Sequence, residues 1–128
     1  MGQQQLLLIV LGVIVVGIAV VVGINLFNAN AVSSNRDGVV SDLNNLGAMA
    51  QQFYKKPISM GGGGNTFTGF ALPTQLDTTA NGSYTAGFVV AAQQVTIVGL
   101  GTEVNDASLN IQHQAIVAPT SITVTQLR

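Results

Sequence analysis

From Leu6 to Phe27 the chain reads LLLIVLGVIVVGIAVVVGINLF, an apolar run of about 22 residues in which only glycines and one asparagine intervene. No charged side chain precedes Arg36. Wound as an α-helix rising about 1.5 Å per residue, the run is about 33 Å long, enough to cross a hydrocarbon layer of about 30 Å. Ahead of it, Met1-Gly2-Gln3-Gln4-Gln5 carries no Lys or Arg, whereas a cleaved secretory signal has a basic leader and a shorter apolar stretch. Residues 1–27 are therefore expected to form a membrane-spanning helix. Val20, Val21 and Val22 lower helix propensity, and Gly17 and Gly23 each cost up to about 1 kcal/mol relative to alanine, so the helix is expected to be least regular between Gly17 and Gly23.

Composition points the same way. Hydrophobic residues are 48% of the 128 and charged residues 7%, against roughly 25% charged in an ordinary soluble domain. Such a surface must be covered by lipid or by neighbours. The length suits one small domain with an appendage. The formal net charge is −1, and Arg36, Lys55, Lys56 and Arg128 are too few and too scattered to neutralise a phosphate backbone, so nucleic acid is not an expected partner. Without cysteine there is no disulfide, thiolate metal site or Cys nucleophile.

Beyond Phe27 the composition becomes polar, yet no proline appears before Pro57, so residues 28–56 can continue as helix. Val32, Val39, Val40, Leu43, Leu46, Ala50 and Phe53 recur at steps of three, four or seven, while Asn35, Asp42, Asn45 and Lys56 are placed away from most of them; this predicts an amphipathic, half-buried helix. Pro57 and Gly61-Gly62-Gly63-Gly64 mark a break, read as a linker over residues 57–65. A phosphate cradle would need a Lys-Ser/Thr pair after the glycines and a strand before them, and neither is present.

Residues 66–128 turn to short β-like runs: Thr66–Phe70, Ser83–Ala92, Gln94–Gly99, Ala107–Val117 and Ile122–Leu127. In the last run Ile122, Val124 and Gln126 alternate with Thr123, Thr125 and Leu127 across the two faces of a strand. Asn81-Gly82 resembles a tight-turn dipeptide, and Gly99-Leu100-Gly101 and Ala118-Pro119-Thr120 are read as strand boundaries. The expected fold class is α+β: a long N-terminal helix, apolar then amphipathic, whose second half covers a small antiparallel β-sheet head.

An uncharged apolar N-terminal helix, continuous with an amphipathic half and followed by a small antiparallel sheet, resembles the type IV pilins. The resemblance implies a structural subunit held in the inner (cytoplasmic) membrane until the pilus assembly machinery adds it to copies of itself. The product would be a helical homopolymer, an extracellular filament on the cell surface. It implies a prepilin peptidase cutting after a glycine; cleavage after Gly2 would make the chain begin Gln3-Gln4-Gln5. Members of the family usually carry a glutamate at the fifth position, which pairs with a neighbour's terminal amine. Here Gln5 stands there and offers an amide hydrogen bond in place of the charge pair. The proline common near position twenty-two is replaced by nearby Gly23. The helix surface expected to build the filament core comprises Gln5, Leu6, Leu8, Gly12, Val16, Gly17, Ala19, Gly23 and Phe27, with the small residues permitting close approach.

No site for chemistry competes with this reading. His113 is the only histidine; it shares a strand face with Leu109, Ile111 and Ala115, and a lone histidine cannot supply the three or four ligands of zinc, so it is read as structural. Glu103-Val104-Asn105-Asp106-Ala107-Ser108 offers oxygens but lacks the spacing of a calcium loop and is read as a solvated loop. No acid–base pair or catalytic triad can be assembled, so neither enzyme activity nor a cofactor is expected. Asn81-Gly82-Ser83 fits the N-glycosylation pattern at Asn81. Phe27, Phe53, Tyr54, Phe67, Phe70, Tyr84 and Phe88 are too sparse for a conduction path and suit packing, where burial is worth about 1.5–3 kcal/mol each. Two other readings share the apolar helix: a single-pass anchored protein whose head binds a surface partner, and a secretion-system pseudopilin forming short periplasmic assemblies.

Overall fold

The computed structural model describes residues 2–128. Helix α1 covers Gly2–Lys55, and a 3-10 turn over Ile58–Met60 follows it. Six strands come next: β1 Thr78–Thr79, β2 Gly82–Ser83, β3 Val89–Val90, β4 Val95–Val104, β5 Asn110–Val117 and β6 Ile122–Gln126. All pair antiparallel in one sheet, in the order β1-β2-β4-β5-β6 with β3 also on β4. The fold class is α+β, a long helix and a small antiparallel sheet. The chain divides after Ala31 into two compact units.

In the first unit the helix is unbroken through Gly17–Gly23, which overturns the expected irregularity. A glycine weakens a helix without removing a hydrogen bond, and valine in its preferred rotamer fits one, so three valines and two glycines lower propensity without breaking the ladder.

In the Val32–Arg128 unit, α1 buries Asn35, Val39, Leu43, Leu46, Gly47 and Ala50, one face repeating at helical spacing. Against it pack Phe67, Tyr84, Val95, Ile97, Ile111, Ala115 and Val117, all fully buried, with Ile122 and Val124 of β6 at the margin. The core is thus built jointly by the helix and the inner face of β4, β5 and β6, where period-two alternation places Val95, Ile97 and Gly99 opposite Val117, Ala115 and His113. The alternation expected for Ile122–Gln126 is observed, with Ile122 and Val124 half-buried and Thr123 and Thr125 exposed.

Three strand readings need correction. Thr66–Phe70 is a loop with one turn, closed by Phe70 N–H donating to Phe67 O at 2.9 Å: Phe67 and Phe70 enter the core from it, held by Phe67 N–H donating to Ala92 O at 2.9 Å. Ser83–Ala92 splits into the ends of β2 and β3, because Tyr84 leaves the sheet edge and is swallowed by the core. Gly99-Leu100-Gly101 lies inside β4 and does not end it. A Cβ at Gly99 would come within 2.8 Å of Val39 and 2.9 Å of Tyr84, and one at Gly101 would strike Asn35 and Ile111. These glycines mark where side chains of α1 and of the core press onto the strand, which is a second meaning of glycine in a strand.

The glycine-rich segment folds back on the end of α1. Gly63 N–H donates to Phe53 O at 2.8 Å, Gly64 N–H to Lys56 O at 2.9 Å and Asn65 N–H to Tyr54 O at 2.8 Å. These bonds satisfy carbonyls that a helix end leaves without partners.

Candidate functional site

The residues singled out in the apolar helix all lie on α1, and all are exposed. The large apolar side chains between Leu6 and Phe27 range from 51% exposed at Val22 to 73% at Phe27, and the most apolar window of the helix is 0% buried. Nothing lies within 4 Å of where a side chain on Gly12, Gly17 or Gly23 would begin. At about 100° per residue, Gln5, Leu8, Gly12, Val16, Ala19 and Gly23 fall along one face, with Phe27 at its edge. Leu6 and Gly17 fall outside that stripe. The helix is long and apolar enough to cross a membrane, with a mean hydropathy of 3.3 in its best window. Left in water, this surface would cost about 25 cal/mol per Å² of apolar area.

A second arrangement, within the Val32–Arg128 unit, had no counterpart in the sequence reading. Asp42 Oδ2 accepts hydrogen bonds from Tyr84 Oη at 2.5 Å, Thr79 Oγ1 at 2.7 Å and Asn81 Nδ2 at 3.1 Å. One turn pair earlier, Asn35 Nδ2 donates to Asn81 O at 2.8 Å while its Oδ1 accepts from Thr102 N–H at 3.1 Å and Glu103 N–H at 3.2 Å. Those two amides belong to a bulge in β4, where the pairing shifts between Leu100 and Val104. Asn35 thereby supplies the bonds that the bulge removes from the ladder. Asn35 and Asp42 had been placed off the buried face; they lie on it, seven residues apart, and clamp the helix to the sheet.

Burial alone would raise the Asp42 pKa, but its three donors outweigh burial and hold it below 3.8. Burial, and then the bond to Asp42, push the Tyr84 hydroxyl well above its ordinary range. The polar side chains of the clamp bond one another and the backbone of the sheet. Asn81 Nδ2, the atom an N-glycan would occupy, donates to Asp42, and the Asn81 amide lies against Gly38, so a glycan there would displace the clamp.

His113 is buried on the inner face of β5 with Ile111 and Ala115, while Leu109 lies outside the strand and is exposed. Its Nδ1 has no hydrogen-bond partner. Burial, and then the charge of Arg36, lower its pKa below 6.5. The folded unit therefore holds the neutral imidazole, while the unfolded chain binds the extra proton first. Stability should fall as pH drops below about 6.5 toward the folded value. His113→Leu should flatten the loss of Tm between about pH 7 and pH 5, read by circular dichroism. An unchanged slope would show that another group titrates.

Among the described residues no group of three or more His, Cys, Asp or Glu could hold a metal ion. In the loop weighed for calcium, Asn105 Oδ1 is engaged by the amides of Ala107 and Leu109 at 2.9 and 3.1 Å. A cleft of about 290 Å³ lined by Met49, Phe53, Lys56, Gly61, Phe70 and Ala71 brings no acid–base pair together. No family model, curated protein or solved structure matches this chain.

Proposed function

We propose that the chain is a structural subunit of an extracellular filament of the type IV pilin kind, with a building role and no catalytic one. Leu6–Phe27 holds it in the membrane before assembly and packs against the same helix of other copies in the polymer. Its partners are lipid, copies of itself and the pilus assembly machinery. The observation that carries this reading is that the apolar helix of the first unit is exposed along its length, while the second unit has a core that is complete without it. An apolar helix with no internal partner needs an external one, and lipid followed by identical helices supplies it.

Electron microscopy of material shed from cells making the chain tests the proposal. Abundant long fibres containing it are expected. A chain that stays with the membrane fraction and yields no fibres is an anchored binding protein, and one that forms only short periplasmic assemblies is a pseudopilin; either result overturns the filament reading.

A further inference from the structure

We propose that the tip of the β4–β5 hairpin, with Val104, Ala107 and Leu109, rests on the membrane surface while the chain is inserted; this depends on the membrane stage of the function proposed above. Within the Val32–Arg128 unit, Gly99 lies beside Val39 and Gly101 beside Asn35, so β4 runs antiparallel to α1. The Thr102 and Glu103 amides bond Asn35, and Val104 and the turn beyond it continue past Asn35 toward the Val32 end of the unit. The β5–β6 turn marks the opposite end, where Gln51 Nε2 donates to Ala118 O at 3.0 Å. Val32 follows Phe27 by five residues, each spanning at most about 3.6 Å. With Leu6–Phe27 in hydrocarbon, the chain at Val32 therefore stays within about 18 Å of its boundary, whatever the intervening backbone does.

Val104 is 49% and Leu109 45% exposed, and Ala107 between them is exposed as well. The turn is already ordered: Asn105 Oδ1 accepts from Ala107 and Leu109 N–H, and Asn105 N–H donates to Leu109 O at 2.8 Å. Docking it costs little conformational freedom. Three small side chains fall far short of the roughly 800 Å² per partner of a stable protein interface. A surface to which the chain is already tethered needs much less, because the anchor sets a high effective concentration. The exposed carboxylates of Glu103 and Asp106 disfavour anionic lipid, so the partner is a zwitterionic surface, whose headgroups also suit Asn105 and Ser108.

The chain has no cysteine, so single substitutions Val16→Cys, Ala107→Cys and Thr120→Cys give unique labelling sites for an environment-sensitive fluorophore. The full chain is reconstituted in phosphatidylcholine vesicles carrying spin-labelled quencher lipids, shallow or deep. The expected result is loss of emission at position 16 with deep quenchers and at position 107 with shallow ones, with position 120 as bright as in water. Val104→Ser with Leu109→Ser should restore emission at position 107 while the melting temperature stays unchanged. If position 16 is quenched and position 107 behaves like 120, the hairpin proposal is wrong and membrane insertion stands. An unquenched position 16 overturns both. Shielding at position 107 that grows with the protein-to-lipid ratio assigns the tip to a second copy and also overturns the proposal.

Discussion

On the filament function proposed above, Val16→Asp should abolish filaments while leaving the Val32–Arg128 unit folded. Moving the apolar helices from lipid into a bundle of similar helices changes their surroundings little, so close packing must supply the preference for the polymer. Val16 shares its helix face with Gly12, Ala19 and Gly23, where packing can be closest. A carboxylate there costs at least about 2.5 kcal/mol in an apolar medium, and the cost recurs at every subunit. The folded unit is insulated from the change because every buried core side chain lies at Val39 or beyond. Electron microscopy for fibres and a circular-dichroism melt of the detergent-solubilised chain check the two halves of the expectation. Fibres of Val16→Asp would mean that the heads hold the polymer together. A head fragment made for comparison must begin at Val32, since starting after the helix would remove Val39, Leu43, Leu46 and Ala50 from the core.

The long-period features were legible in the sequence. An uncharged apolar run and a three-four repeat from Val32 to Phe53 suffice for the helix, because each depends on a pattern that many residues carry together. β4, β5 and β6 were found because their alternation is regular, although β4 runs five residues past its expected end at Gly99. What failed were readings that rested on single residues. Gly99 and Gly101 read as boundaries because turns and close helix–strand approaches both require glycine, and the sequence does not say which neighbour comes near. Phe67 and Phe70 suggested a strand through their β propensity, which in fact reports burial. The clamp was hidden because polarity placed Asn35 and Asp42 on the solvent side. Their spacing of seven from each other, and of three or four from Val32, Val39 and Leu46, would have put them on the buried face. Their partners Thr79, Asn81 and Tyr84 are distant in the chain, and no local pattern joins them.

Asp42→Ala should be among the most damaging single changes in the Val32–Arg128 unit, although Asp42 itself is only half-buried. The substitution leaves Tyr84 Oη, Thr79 Oγ1 and Asn81 Nδ2 without their shared acceptor. Water can reach the partly exposed Thr79 and Asn81, but Tyr84 is fully buried, and an orphaned buried donor bears its full desolvation penalty. The sum is about 2–4 kcal/mol, a fall in Tm on the order of 10–20 °C for a unit of this size. Adding Tyr84→Phe removes the orphaned hydroxyl, so the double variant should recover about 1 kcal/mol relative to additivity. The acid limb should change as well. Because the Asp42 carboxyl titrates below 3.8 when folded, it contributes stability above that value and loses it as pH falls through the folded pKa. Asp42→Ala should therefore melt lower at neutral pH yet lose less further stability below about pH 4 than the parent chain. Thermal melts of both variants at neutral and acid pH decide the matter: equal Tm values for Asp42→Ala and the parent at neutral pH would show that the helix is held to the sheet by apolar packing alone.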